Sequence, residues 1–298
     1  LDKVKALGQW VVSRLVHFWL PLAITGSLLG VAVTVTAILL YKQQITVQIA
    51  NLPVREQGKV TAKRVGLLSP GEHLQIIGQK NKWYHVRRED ESTGWVASWL
   101  VERKKPLAKV TPLSETTIAL DAGHGGSDTG ALSNQDQYEK DYTLALARRV
   151  KTQLEKRGAR VIMIRNQDVL VPLAQIPQQA EAKHADLFLS FHFDSAPEKN
   201  SASGYTTYYY HQENGSKELA NAVNQALQSR LPNQMHNKGI AFGDYLVLRD
   251  NDLPAILLEN GYINSDKDFK RIKTSQYQEQ IARAIPLGLD HYLSQQMP

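Results

Sequence analysis

Residues 18–41, FWLPLAITGSLLGVAVTVTAILLY, contain no Asp, Glu, Lys, Arg or His. No other feature limits the chain so strongly, because an uncharged apolar run of this length belongs in lipid. As a helix its 24 residues rise roughly 36 Å, enough to cross a hydrocarbon layer about 30 Å thick with some tilt. Trp19 and Tyr41 stand at its ends, where amphipathic rings favour the membrane–water boundary. A cleaved signal peptide has an apolar core of only about 7–15 residues and a small-residue cleavage site. This run is longer and its TVTA is a poor site, so it reads as an uncleaved anchor. Lys3, Lys5 and Arg14 precede the span and Lys42 alone follows it closely. Positive flanks stay inside, so residues 1–17 are expected in the cytoplasm and everything beyond Tyr41 outside, on the surface of a single-pass membrane protein. Gly26 and Gly30 would let a second helix approach closely, which suits a membrane-protein partner. The chain has no cysteine, in keeping with an exported protein that does not rely on disulfides. Its net charge of +6 suits an anionic envelope and equally an ordinary solvated surface; no nucleic-acid partner is expected.

Residues 44–103 carry short runs rich in Val, Ile, Trp and Tyr (ITVQIA, HLQIIGQ, WYHVRR, GWVASWLV), with SPGE and STG between them as turns. About sixty residues of short strands predict a small all-β barrel. NLPVREQ, LLSPGEHLQIIGQKNKWYHVR and GWVASWL resemble the first, middle and closing strands of a bacterial SH3 (SH3b) domain. The resemblance implies binding of cell-wall peptides, although Pro53 stands where that family has Asn. A plain spacer is the alternative, since fold alone does not fix function. Residues 104–115, within ERKKPLAKVTPLSE, mix charge with two prolines and read as a linker.

From Thr116 strands alternate with helices. TIALDAG, ARVIMIR and DLFLSFHF read as strands, with GYTTYYYH, YLVLR and PAILLEN after them. EKDYTLALARRVKTQLEKRG has apolar residues at helical spacing, acids early, bases late and Gly158 as its C-cap. SKELANAVNQALQSRL and SQYQEQIARAIPLGLDHYL are further helices. This alternation over 116–298 predicts a three-layer α/β domain with a mostly parallel sheet, preceded by the barrel and one transmembrane helix.

In such sheets reactive groups collect near the carboxyl ends of strands. His124 follows TIALDAG, His192 ends DLFLSF, Glu259 ends PAILL, and Glu139 opens the first long helix. Two imidazoles and one carboxylate make a zinc set with a fourth position open to water, and a second carboxylate can then carry the proton. That is amide hydrolysis without a side-chain nucleophile. The absence of Cys excludes thiol catalysis, and the absence of Gly-x-Ser-x-Gly leaves a hydrolase-type serine without its signature. The glycine-rich LDAGHGGSDTGA is neither a Walker A loop, because Ala131 follows Gly130, nor a dinucleotide loop, because Asp128 occupies the third glycine position. Structural histidines in polar loops, an ordinary helix-start acid at Glu139 and a satisfied carboxylate at Glu259 are the bland alternatives.

LDAGHGGSDTGA, YEKDYTLALA, DLFLSFHFDSA and YLVLRDNDLPAILLENGYINS together resemble the zinc-dependent N-acetylmuramoyl-L-alanine amidases of the Amidase_3 family. The resemblance implies Zn2+ on His124, Glu139 and His192, with Glu259 as catalytic acid/base. It also implies cleavage of the amide between the lactyl group of N-acetylmuramic acid and L-alanine of the peptidoglycan stem. The substrate would be glycan strands with stem peptides, with nascent, membrane-proximal strands preferred. Asp194 stands where the family has Asn, and Lys238 where an Arg is often found; Pro177 is expected to kink its helix. Arg249 reads as a substrate-carboxylate ligand or a structural ion pair, and His236 is the remaining histidine worth watching. Two other classes stay open: a catalytically silent wall-binding module, and a zinc peptidase acting within stem peptides.

Overall fold

The computed structural model describes residues 2–231 and 235–296. Helix α1 runs Asp2–Lys42, and its stretch Val16–Val35 is long and apolar enough to cross a membrane, with none of it buried against the rest of the chain. Trp19 is exposed on this helix, while the Tyr41 side chain lies outside the described residues.

Six strands follow: β1 (Gln44–Thr46), β2 (Leu52–Arg55), β3 (Arg64–Leu68), β4 (His73–Lys80), β5 (Trp83–Arg87) and β6 (Thr93–Ala97). They lie in the order β1-β4-β5-β6-β2-β3 with every pairing antiparallel. Leu52, Val54, Leu74, Trp83, Val86 and Val96 turn inward to form the barrel's own core. The one-turn helix α2 (Ser98–Val101) leads out.

The segment expected as a linker is anchored at its end. Pro112–Glu115 form a 3-10 turn in which Leu113, Ser114 and Glu115 are buried. The Glu115 carboxylate accepts from Arg55 Nε at 2.9 Å and from Nη2 at 2.5 Å, both partners buried. Trp99 Nε1 donates to the carbonyls of Ser114 and Gly158 at 2.9 and 3.0 Å. The barrel therefore packs directly on the second domain.

That domain comprises β7 (Thr117–Ala122), α3 (Glu139–Lys156), β8 (Arg160–Met163), α4 (Gln175–Ala182), β9 (Leu187–Asp194), β10 (Tyr205–Tyr209), α5 (Ser216–Arg230), β11 (Asn237–Phe242), α6 (Leu246–Arg249), β12 (Ala255–Tyr262), α7 (Asp266–Ile272) and α8 (Ser275–Gln295). Its sheet has the order β11-β10-β12-β9-β7-β8. Strands β8, β7, β9 and β12 are parallel, whereas β10 opposes β12 and β11 follows β10. Alternate residues of the central strands face opposite layers, the period-2 rule of a strand. Ile118 and Leu120 join a core with Leu146 and Val150 of α3, Val223 of α5 and Ile285 of α8. Ala119 and Phe188 join Ile176 of α4 and Leu248 of α6 on the other face. The expected three layers are present.

Two local expectations change, and one strand carries no sequence signal. YLVLR is not a strand: residues 246–249 form one helical turn that buries Val247 and Leu248 on the sheet. Edge strand β11, NKGIAF, is too polar and only half-buried to announce itself by alternation. Pro177 does not kink α4, because that helix begins at Gln175 and the proline sits in its first turn, where the missing N–H has no partner to lose. In the consecutive run Tyr208, Tyr209 and Tyr210, Tyr209 joins the core beneath α3, α5 and α8, while Tyr208 and Tyr210 pack on the opposite face.

Candidate active site

The chain leaves β7 through Gly123 and His124. A side chain at Gly123 would run into the His192 ring, so the backbone can pass there only as glycine. His124 holds φ 65°, a left-handed conformation that costs a non-glycine residue about 1–3 kcal/mol. Asp128 Oδ2 lies 2.9 Å from His124 Nδ1 and fixes the ring. At Gly130, φ 66°, a Cβ would strike both His124 and Glu139. The glycines of this loop make room for a crowded His/Glu cluster.

Glu139 starts α3 and is buried. Its Oε1 accepts from the Phe193 N–H at 3.0 Å, and its Oε2 accepts from the Ala131 N–H at 2.9 Å. His124 Nε2 and His192 Nδ1 each lie 3.0 Å from one of these oxygens. Burial alone would raise the Glu139 pKa, but hydrogen bonds and charge from the two histidines hold it well below the usual carboxylate range. Burial likewise works to lower His192, yet Glu139, Glu259 and Asp121 hold it up at about 9. The two rings sit 4.8 Å apart, nearly perpendicular. One ligand atom from each of His124, Glu139 and His192 can be chosen so that all lie within 4.8 Å of one another. Two nitrogens and one carboxylate oxygen at that spacing form a group that could hold a metal, with the donor set that zinc takes.

Glu259 pairs with His192 across the β9–β12 ladder. It is buried, and its Oε2 has no hydrogen-bond partner among the described residues. Burial pushes its pKa up to about 8, with His192 opposing and Glu139 and Asp194 adding to the rise. A buried carboxylate oxygen without a donor costs roughly 1–3 kcal/mol or more, so it marks a place reserved for a proton or an O–H group.

The structure thus brings together His124, Glu139, His192 and Glu259. Arg249 stands apart from that cluster, exposed and engaged by Asp244 Oδ1 at 2.6 Å and Asp250 Oδ1 at 3.1 Å. His236 is exposed, and its carbonyl accepts the Tyr205 N–H. Asp194 accepts the Ser195 N–H at 2.7 Å and raises Glu259 by its charge. Sequence reasoning missed Asp128, although its i+4 spacing from His124 was in view, and it missed Arg165. The latter is buried and clamps the loop through the carbonyls of Ala122, Gly123 and Lys140 at 2.7, 3.0 and 2.9 Å. Asp121, buried and accepting from Ser190 Oγ at 2.7 Å, helps by its charge to hold the His192 pKa up.

Comparison with known proteins adds the family. Residues 118–291 match the N-acetylmuramoyl-L-alanine amidase family model, and residues 50–102 match the bacterial SH3 domain. The chain is 38% identical over 235 residues to the probable cell wall amidase LytH of Staphylococcus aureus, covering 75% of this chain and 76% of that one. Among solved structures, an N-acetylmuramoyl-L-alanine amidase from Clostridium difficile 630 is 32% identical with TM-score 0.58, covering 60% of this chain and 97% of that one. AmiC2 of Nostoc punctiforme, an enzyme of the same name, is 32% identical with TM-score 0.57 over the same shares. The CwlD amidase from Clostridioides difficile, solved in complex with the GerS lipoprotein, is 30% identical with TM-score 0.53, covering 60% of this chain and 98% of that one. The chain belongs to the N-acetylmuramoyl-L-alanine amidase family, as a cell-wall amidase acting on peptidoglycan with a bacterial SH3 domain ahead of its catalytic domain.

Proposed function

We propose that this amidase is zinc-dependent, with the ion held by His124, Glu139 and His192, and that Glu259 is its catalytic acid/base. The unpartnered Glu259 Oε2 beside a three-ligand group is the observation that carries the reading. Zinc bound there would acidify a water and polarise the scissile carbonyl. Glu259 accepts the proton of the attacking water and hands it to the amide nitrogen as the bond to L-alanine breaks, a task suited to a carboxyl that burial has made a stronger base. Asp128 keeps His124 turned so that its Nε2 faces the site, and the Phe193 and Ala131 N–H groups hold the Glu139 carboxylate in place. Arg165 keeps the His124 loop against the sheet.

The proposal extends to the layout of the chain: residues 1–17 cytoplasmic, 18–41 a membrane anchor, 44–103 the SH3b domain, 104–115 a connector and 116–298 the catalytic domain outside. The exposed apolar stretch Val16–Val35 supports the anchor. The lipoprotein bound to CwlD supports a search for a membrane-associated partner of this chain. The test uses the detergent-solubilised chain, its metal content, and purified glycan strands carrying stem peptides. Bound zinc and released peptides that begin with L-alanine are expected, with zinc retained and release lost in Glu259→Gln. Peptides beginning at a later stem residue would make the chain a peptidase instead. Zinc-loaded protein that releases nothing would leave the wall-binding module.

A further inference from the structure

Among the described residues, three cations of this domain that flank the site are committed to partners of their own. Arg165 is spent on backbone carbonyls, Lys140 Nζ bonds Asp168 Oδ2 at 2.8 Å, and Arg249 is held between two aspartates. Lys238 differs. It lies near the start of β11, and because β10 and β11 run against β12, this end of β11 sits beside the carboxyl ends of β9 and β12. Those ends carry His192, Asp194 and Glu259.

Lys238 is exposed, and its Nζ donates to the Tyr262 hydroxyl at 2.5 Å while lying 4.7 Å from the centre of that ring. Tyr262 stands opposite Asp194 in the β9–β12 pairing, and the nearby Asp194 carboxylate draws its phenol proton. The phenol's single proton goes to Asp194, so it accepts from the lysine. A neutral phenol uses one of three ammonium protons and leaves two donors and the full positive charge. The lysine stem is also confined: a Cβ on Gly204 would touch its Cγ and Cδ at 3.1 and 3.3 Å. Around it the centre is crowded with carboxylates, Asp121, Glu139, Asp194 and Glu259.

We propose that Lys238 binds a carboxylate of the stem peptide and so selects acidic stem peptides over their amidated forms. This rests on the amidase reading of the same site, and it makes Lys238 a specificity residue rather than a catalytic one. Tyr262 and Asp194 position it.

The test compares two muramoyl dipeptides, L-alanine followed by a residue ending in a free carboxylate or in its carboxamide. Their affinities are measured by calorimetry on the full-length, zinc-loaded chain in the Glu259→Gln background, with and without Lys238→Met or Lys238→Arg. Steady-state kinetics follow with Glu259 intact. The carboxylate form is expected to bind about ten-fold more tightly, a preference that Lys238→Met abolishes and Lys238→Arg keeps. In kinetics the loss appears in KM for the acidic peptide. Equal loss on both peptides would make Lys238 a structural brace for Tyr262, and an unchanged ratio would also overturn the proposal. Failure of the wild-type chain to cleave either peptide would count against the amidase mechanism, while the binding ratio still decides Lys238.

Discussion

Glu115, at the end of the connector, and Glu259, in the catalytic domain, are both buried carboxylates. Glu115 lies where the barrel meets that domain, with both oxygens taken by the Arg55 guanidinium. Glu259 lies beside the His/Glu group, with one oxygen unpartnered. Burial pushes both upward in pKa, but at Glu115 the guanidinium pulls the other way through a direct two-pronged bond. A paired carboxylate is a rivet that holds two surfaces in one geometry. An unpaired one keeps its capacity for a proton. Burial alone therefore does not identify a functional acid; what the second oxygen touches does.

The largest effect that would break this contrast is on activity. Glu259→Gln is expected to lower kcat about 100- to 10,000-fold while leaving zinc content and thermal unfolding close to wild type. A variant that keeps its activity would mean that Glu259 is merely a tolerated buried acid. Glu115→Ala should do the reverse. Removing one partner of a buried pair leaves the Arg55 guanidinium without its carboxylate and costs about 3–5 kcal/mol, read in urea unfolding, with kcat of the folded fraction preserved. Replacing both partners, Arg55→Met with Glu115→Leu, should recover most of that loss, since a packed apolar pair also fills the seam.

Asp186 lies between these extremes and sharpens the comparison. One of its oxygens accepts the Thr117 N–H at 2.7 Å. Burial pushes its pKa from 3.8 to about 6, against the pull of that N–H and of Arg160. The folded chain thus holds a proton that the unfolded chain releases, so this group adds stability as pH falls through about 6, and the gain is complete below 3.8. Asp186→Asn should flatten that slope and stabilise the protein at pH 8 by about 1–2 kcal/mol, a figure reduced because the side chain is only partly buried. Unfolding curves at pH 5 and pH 8 would decide, and identical slopes in the two proteins would remove Asp186 from the account.

The same distinction explains what could be read from the sequence. The central strands were legible because burial on both faces leaves continuous apolar runs such as TIALDA and PAILL. His124, His192 and Glu259 were legible because they interrupt or end such runs. Partners distant along the chain were not. Arg55 and Glu115 are 60 residues apart, and neither neighbourhood marks the other, so the end of the connector read as loose chain. YLVLR failed as a strand because a short apolar run does not reveal its period. Lys238 and Tyr262 meet only because β10 and β11 run against β12, a fact of topology that local spacing does not carry.

The smallest expected effect concerns the cation that sequence reasoning singled out. Arg249 is exposed and already bonded to two aspartates, so a substrate carboxylate would have to displace both. Exposed pairs of this kind contribute little. Arg249→Ala should leave the unfolding midpoint and the KM for acidic stem peptides unchanged within error. A raised KM without a change in kcat would show that Arg249 trades its aspartates for substrate. In that case a cation's resting partners would be a poor guide to its role, and the contrast between Arg249 and Lys238 would lose its force.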